Sequence, residues 1–294
     1  MTTELANVVK ANALVESSYR LGVMEQRIIL SCLAQLRKDD VITDETFYTV
    51  SARDIGQLTE TDSKSLYSEL AAATQRLRRK DVIMHLAPNS GEKLKTRLET
   101  SWVQSCIYVE SEGIVKLRFA RDMVPYLSEL QRQFTSYPLA EVIRMTSAHA
   151  IRLFELLMQY SSIGKRDISV DDFRTWFQLE DSYPLTSDLR RKIVEPAVAQ
   201  INEYSSLVCK MEPVKSGRKV THFRFSFATR KGASLKGGSK GKGKGKGQVD
   251  EVPELPLSRK LTEADIQRYA LPGETWEAAK RRLQSKMDRQ GSLL

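Results

Sequence analysis

The feature that most constrains this chain is a pattern stated twice. A helix with apolar residues at helical spacing runs from Met24 to Arg37, carrying Ile28, Ile29, Cys32, Leu33 and Leu36 on one face. A second runs from Ser147 to Tyr160, with Ile151, Phe154, Leu157 and Met158 on the corresponding face. Each is followed by a loop and a helix start of the form apolar-Ser-x-x-Asp-apolar, at Val50 to Ile55 and at Ile168 to Phe173. Ser51 and Ser169 are natural N-caps there, because a hydroxyl accepts the free amides of a first helical turn. A further helix follows in each copy. One runs from Ser65 to Ile83, with Leu66, Leu70, Ala73 and Leu77 facing inward, and the other runs from Ser187 to Tyr204. Both copies close with two strand-like runs, flanking Ser111-Glu112-Gly113 in the first and Ser216-Gly217-Arg218-Lys219 in the second.

Helix, helix-turn-helix and hairpin, in that order, describe a winged helix. The expected fold class is therefore α+β, with two tandem winged-helix domains and a flexible C-terminal tail. We place the first domain at 1–125, the second at 126–231, a Gly/Lys-rich linker at 232–260 and a short helical element at 261–294. The segment from Arg121 to Met145 is expected to be largely helical and to join the two units. A length of 294 residues suits about two domains.

Charge is divided unevenly between the copies. Residues 1–183 hold 23 Lys and Arg against 25 Asp and Glu, whereas residues 184–231 hold 10 against 4 and residues 232–294 hold 13 against 8. The excess of +9 thus lies in the last 111 residues, as expected of a surface that binds a polyanion. The first hairpin carries Glu110 and Glu112 near its tip, which would repel phosphates. The second carries Lys215, Arg218 and Lys219. The second copy is the better candidate to hold duplex DNA, which leaves the first for protein contacts or weaker backbone contacts. Arg76, Arg78, Arg79 and Lys80 could make the latter, or could simply complement the dipole at a helix C-terminus.

On a wheel centred on Ile193, Leu189 and Ala197 turn inward while Arg191, Glu195 and Asn202 lie opposite. Arg191 is the candidate base reader, since its planar fork can meet guanine O6 and N7 together. Arg190 and Lys192 project to the sides, where phosphates would lie, and Lys215, Arg218, Lys219 and His222 extend that grip along the wing. A run such as Arg190-Arg191-Lys192 is by itself most simply a solvated helix face; the basic hairpin about 25 residues later is what favours DNA. Pro196 removes an amide and crowds the carbonyl of Lys192, so the helix is expected to bend or restart there.

Other chemistries find little support. Cys32, Cys106 and Cys209 have no paired spacing and read as reduced thiols in apolar surroundings. His85, His149 and His222 are scattered, so the His-x-His cluster of a nicking enzyme is missing. We expect neither catalysis, cofactor nor metal. Glu4 stands where a signal peptide would be cationic, and no apolar run reaches membrane-spanning length, so a cytoplasmic, membrane-free protein is expected. Residues 232–247 are too rich in Gly and Lys to bury a core and read as a linker with a sequence-blind attraction to DNA. Gly238 to Lys244 fits a phosphate-loop spacing, but Gly245 replaces the required Ser or Thr. Residues 261–287 read as two short helices, one capped by Thr262 and one with a Trp276, Ala279, Leu283 stripe suited to docking on the body or on a partner.

Three stretches in order carry a family resemblance: residues 7–36, residues 145–179, and residues 187–227. Together they resemble the iteron-binding plasmid replication initiators of theta-type origins. The resemblance implies that the second winged helix binds direct repeats (iterons) in double-stranded origin DNA. The first would dimerise and add backbone contacts. A monomer in equilibrium with a homodimer would then serve two sites, the dimer repressing its own promoter at an operator inverted repeat. It further implies origin opening and recruitment of the host replication initiator and replicative helicase. The DNA contacts it implies fall on Arg190, Arg191, Lys192, Asn202, Arg218 and Lys219. A winged-helix transcriptional regulator with no replication role is the alternative that composition leaves open.

Overall fold

The computed structural model describes residues 6–36, 42–61, 65–128, 130 and 133–230. The expected linker and the two expected C-terminal helices lie outside the described residues.

The first unit begins with β1 (Asn7–Ala11), α1 (Asn12–Val15) and β2 (Ser18–Tyr19). Its long helix is α2 (Val23–Leu33), and β3 (Tyr48–Ser51) then leads into α3 (Ala52–Thr59). Ser51 caps α3 as its sequence suggests: its hydroxyl accepts the Asp54 amide at 3.0 Å. After α4 (Ser65–Leu77) come β4 (Asp81–Leu86) and β5 (Lys93–Ser101), then the hairpin β6 (Val103–Val109) and β7 (Ile114–Phe119). Strand β3 adds to that hairpin in the order β3-β7-β6. The β4–β5 hairpin pairs instead with β2, an insertion with no counterpart in the second unit.

The joining segment differs from expectation. Its described residues hold a short α-helix, α5 (Val124–Leu127), two 3-10 turns at Arg121–Met123 and Leu139–Glu141, and a strand, β8 (Phe134–Pro138), antiparallel to β1. The alternation of exposed Phe134, Ser136 and Pro138 with buried Thr135 and Tyr137 explains the strand.

The second unit repeats the first: α6 (Ala148–Met158), β9 (Lys165–Ser169) and α7 (Val170–Phe177), with the Ser169 hydroxyl accepting the Asp172 amide at 2.9 Å. The next helix runs through α8 (Thr186–Leu189), a π-helical turn over Arg190–Val194 and α9 (Glu195–Tyr204). Strands β10 (Leu207–Ser216) and β11 (Lys219–Thr229) form the hairpin, and β9 completes a sheet in the order β10-β11-β9. The two sheets share one topology. Each puts a strand that precedes a helix against the second strand of the hairpin.

Helix α6 is the common core. Ala150, Ile151, Leu153, Phe154, Leu156 and Leu157 are all fully buried, and so are Arg152 and Glu155. Lys10 of β1 reaches Glu155 at 2.5 Å, both side chains being at most 2% exposed. The Tyr137 hydroxyl donates to the same carboxylate and Tyr19 approaches it at 3.4 Å. Burial, reinforced by that carboxylate, pushes the Tyr137 phenol well above its ordinary range. Arg152 donates to the carbonyls of Ser17 (2.8 Å) and Trp176 (3.1 Å) and lies 3.5 Å over the Tyr19 ring. Arg166 donates to the Glu16 carboxylate at 2.6 Å. Charges this deep are stabilised by such partners, and the Lys10–Glu155 and Arg166–Glu16 pairs join the first unit to α6 and to β9 respectively.

The three cysteines are free thiols. Burial pushes Cys209 up to about 12 and Cys106 up to about 11, and Cys32 well above its usual range, so all stay protonated.

Candidate nucleic-acid interface

Pro196 does not break its helix. Leu189, Arg190, Val194 and Glu195 all keep right-handed helical angles, such as φ −57°, ψ −56° at Arg190 and φ −62°, ψ −45° at Glu195. The chain absorbs the missing amide in the wider π turn, where each amide reaches back five residues and the ring of Pro196 has room. The α-helix resumes as α9 at Glu195 with Pro196 in its first turn, which is the expected restart, without a break in helical angles. Leu189, Ile193, Val194, Ala197 and Ile201 face the core. Ser187, Arg191, Glu195 and Ala199 form an exposed row, four residues apart, along the outer side.

The basic cluster on this helix is partly neutralised by its own neighbours. Asp188 pairs with Arg191 at 3.0 Å and with Lys192 at 3.2 Å, and Arg190 lies 3.2 Å from Glu195 without hydrogen-bond geometry. Arg191 is 70% exposed, and pairs so exposed contribute only about 0.2–1 kcal/mol. A phosphate or a base edge can displace them at little cost.

The wing tip is different. Gly217 at φ 59° with Arg218 after it makes the two-residue turn, and nothing lies within 4 Å of where a Cβ on Gly217 would be. A first central glycine in the left-handed region suits the twist of a tight hairpin. Lys215, Arg218 and Lys219 are exposed there, and no carboxylate among the described residues pairs with them. His222 is exposed on the same strand, with its ring 3.0 Å from the Thr221 hydroxyl. Arg224, further down, is committed to Asp167 of β9 at 2.7 Å, and that hydrogen bond holds the Asp167 carboxyl below the usual carboxylate range.

Asn202 is not on the outer row. Its amide nitrogen donates to the Cys209 carbonyl (2.9 Å) and its carbonyl accepts the Cys209 amide (2.6 Å). It ties α9 to the edge strand β10 through one donor and one acceptor of its amide. Sequence reasoning also passed over Arg174, whose guanidinium donates to the carbonyls of Leu179 (3.2 Å), Ser182 (2.7 Å), Tyr183 (2.6 Å) and Pro184 (3.5 Å). It fixes the turn between α7 and α8.

In the first unit, Glu110, Ser111 and Glu112 are exposed at the hairpin tip, and Tyr67 of α4 covers the turn so closely that a Cβ on Gly113 would sit 2.3 Å from its ring. The cluster at the end of α4 divides. Buried Glu25 holds Arg76 at 2.7 Å and Lys80 at 3.9 Å, while Arg78 and Arg79 stay exposed. Arg78 also lines an open cleft of about 350 Å³ with Thr100, Ser101, Gln104 and Arg121.

Residues 7–158 match the family described as initiator replication protein, WH1, and residues 169–227 match its partner domain, initiator Rep protein, WH2. The chain is a member of the initiator replication protein family. A replication initiation protein of Escherichia coli is 26% identical over 218 residues, 72% of this chain and 66% of that one. An uncharacterized 27.6 kDa protein of Escherichia coli is 26% identical over 222 residues, 72% of this chain and 91% of that one. The crystal structure of the Pi initiator protein in complex with iteron DNA superposes with a TM-score of 0.64 at 19% identity, covering 78% of this chain and 99% of that one. In this initiator the WH1 match runs on through α6, and the basic wing falls within the WH2 match.

Proposed function

We propose that this initiator binds iterons, short direct repeats in duplex DNA at a plasmid origin, mainly through WH2. The observation that carries the reading is the hairpin tip of Lys215, Arg218 and Lys219, exposed and without carboxylate partners among the described residues, on the same unit as the exposed Arg191 row. The helix from Thr186 to Tyr204 enters the major groove, Arg191 reads a base edge, and Arg190, Lys192, Lys215, Arg218, Lys219 and His222 hold phosphates. Asn202 acts indirectly, by fixing the helix on the wing. Arg78, Arg79 and Arg121 of WH1 add sequence-blind backbone contacts.

The chain works by assembly rather than catalysis. Monomers on the iterons promote origin opening and recruit the host initiator and replicative helicase, and a WH1-mediated dimer represses the promoter at an inverted repeat. The test is binding by fluorescence anisotropy to a repeat duplex and to random duplex across a salt series. Arg191→Ala is expected to abolish the preference while keeping most of the random binding. Equal loss on both DNAs would make Arg191 a phosphate contact. Arg218→Ala is expected to weaken both and to reduce the salt slope by about one; an unchanged slope would remove it from the phosphate set.

A further inference from the structure

Leu185 stands immediately before the reading helix and is 64% exposed, more than any other large apolar side chain among the described residues. Its position is an N-cap, with φ −82° and ψ 126° and no side-chain cap bond. N-caps favour Ser, Thr, Asp or Asn, so a leucine here sacrifices helix stability and leaves apolar surface in water. A choice that local physics disfavours, at the end of a helix meant to meet a ligand, is what a functional position looks like.

The leucine is also held still. Its carbonyl accepts the amides of Asp188 (3.0 Å) and Leu189 (3.1 Å), and the preceding turn is gathered by Arg174 through four carbonyls. Tyr183 within that turn sits at φ 54°, a left-handed angle that a non-glycine residue adopts only when its surroundings impose it. The backbone that carries the side chain is thus fixed, on the same helix as exposed Ser187 and Arg191.

We propose that Leu185 is a specificity-determining residue that packs on the C5-methyl group of a thymine in the recognised repeat. This rests on the reading of WH2 as the sequence reader. The N-terminal residues of a reading helix are the ones that meet base edges, and the thymine methyl is the apolar feature that B-DNA offers in the major groove. Arg174 is the positioning residue that aims it.

The experiment uses the full chain and a duplex carrying one repeat protected by this protein. Each thymine is replaced in turn by deoxyuridine, which removes only the methyl group. Wild-type protein is expected to lose about fourfold in affinity at one thymine, the worth of one methyl group returned to water. Leu185→Ala is expected to bind thymine and uracil equally at that position while keeping every other discrimination, and Leu185→Met is expected to keep the preference. Equal wild-type affinity for all the uracil duplexes, with the repeat still preferred over random DNA, would overturn this inference alone. So would a Leu185→Ala protein that retains the thymine preference, or one that loses self-association instead, which would make the leucine a protein contact. No preference of the wild type for the repeat would overturn this inference together with the reading beneath it.

Discussion

Replacing Lys10 by Met tests how β1 is held to α6. The Lys10 ammonium lies 2.5 Å from Glu155, with side chains 2% and 1% exposed, so neither charge has water to fall back on. Removing one partner of such a pair costs about 3–5 kcal/mol, because the remaining charge stays buried. Glu155 would keep the hydroxyl of Tyr137 and the longer approach of Tyr19, which places the cost at the low end, about 3 kcal/mol. At about 2–4 °C per kcal/mol for a body of this size, the melting midpoint should fall by about 6–12 °C. Circular dichroism melting at neutral pH reads this directly. Lys10→Met/Glu155→Gln, which removes both charges and keeps an acceptor for Tyr137, is expected to recover most of the loss. A single variant that melts within about 2 °C of wild type, or a double variant no better than the single, would refute the argument that a stranded carboxylate is the source of the cost.

Asn202→Ala should lower stability by about 2 kcal/mol, since it strands both backbone groups of Cys209 at a sheet edge, and should weaken repeat and random DNA alike; loss of repeat binding alone in a fully folded variant would restore Asn202 as a base reader. Burial, with the Arg20 and Arg152 charges, holds His149 below its ordinary value near 6.5, so the unfolded chain takes up its proton first as pH falls. Stability should therefore decline as pH drops below about 6.5, and less so in His149→Asn, as followed by urea unfolding between pH 5 and 7.5; parallel curves for the two proteins would contradict this. Exchanging Arg78 and Arg121 for Ala should reduce the salt dependence of binding without changing the preference for repeat over random DNA, and a changed preference would count against a backbone role.

Much of the architecture was legible where local chemistry determines it. The capping hydroxyls of Ser51 and Ser169 and the Gly217-Arg218 turn depend on residues a few positions apart, and each is where the sequence places it. Strands β1, β2 and β8 were missed because their partners are distant in the chain and the runs are short, and β4 was read as the end of the helix from Ser65. Residues 121–145 read as helical although Phe134 to Pro138 alternate, a period of two that five residues barely express. The wheel did not show the tie of Asn202 to Cys209, because its backbone partner lies in β10 and no local pattern announces it. The pairing of Asp188 with Arg191 and Lys192 was readable from spacings of three and four. The Arg174 clamp was not, since its four acceptors are main-chain carbonyls.

A DNase footprint of the purified full-length protein on the DNA flanking its own gene, at moderate salt with random competitor, tests the central claim most directly. The account predicts a ladder of evenly spaced protected direct repeats, lost in Arg191→Ala. A lone protected palindrome would point to a repressor without an origin, and no protection at any concentration that saturates random DNA would contradict the assignment of WH2 as a sequence reader.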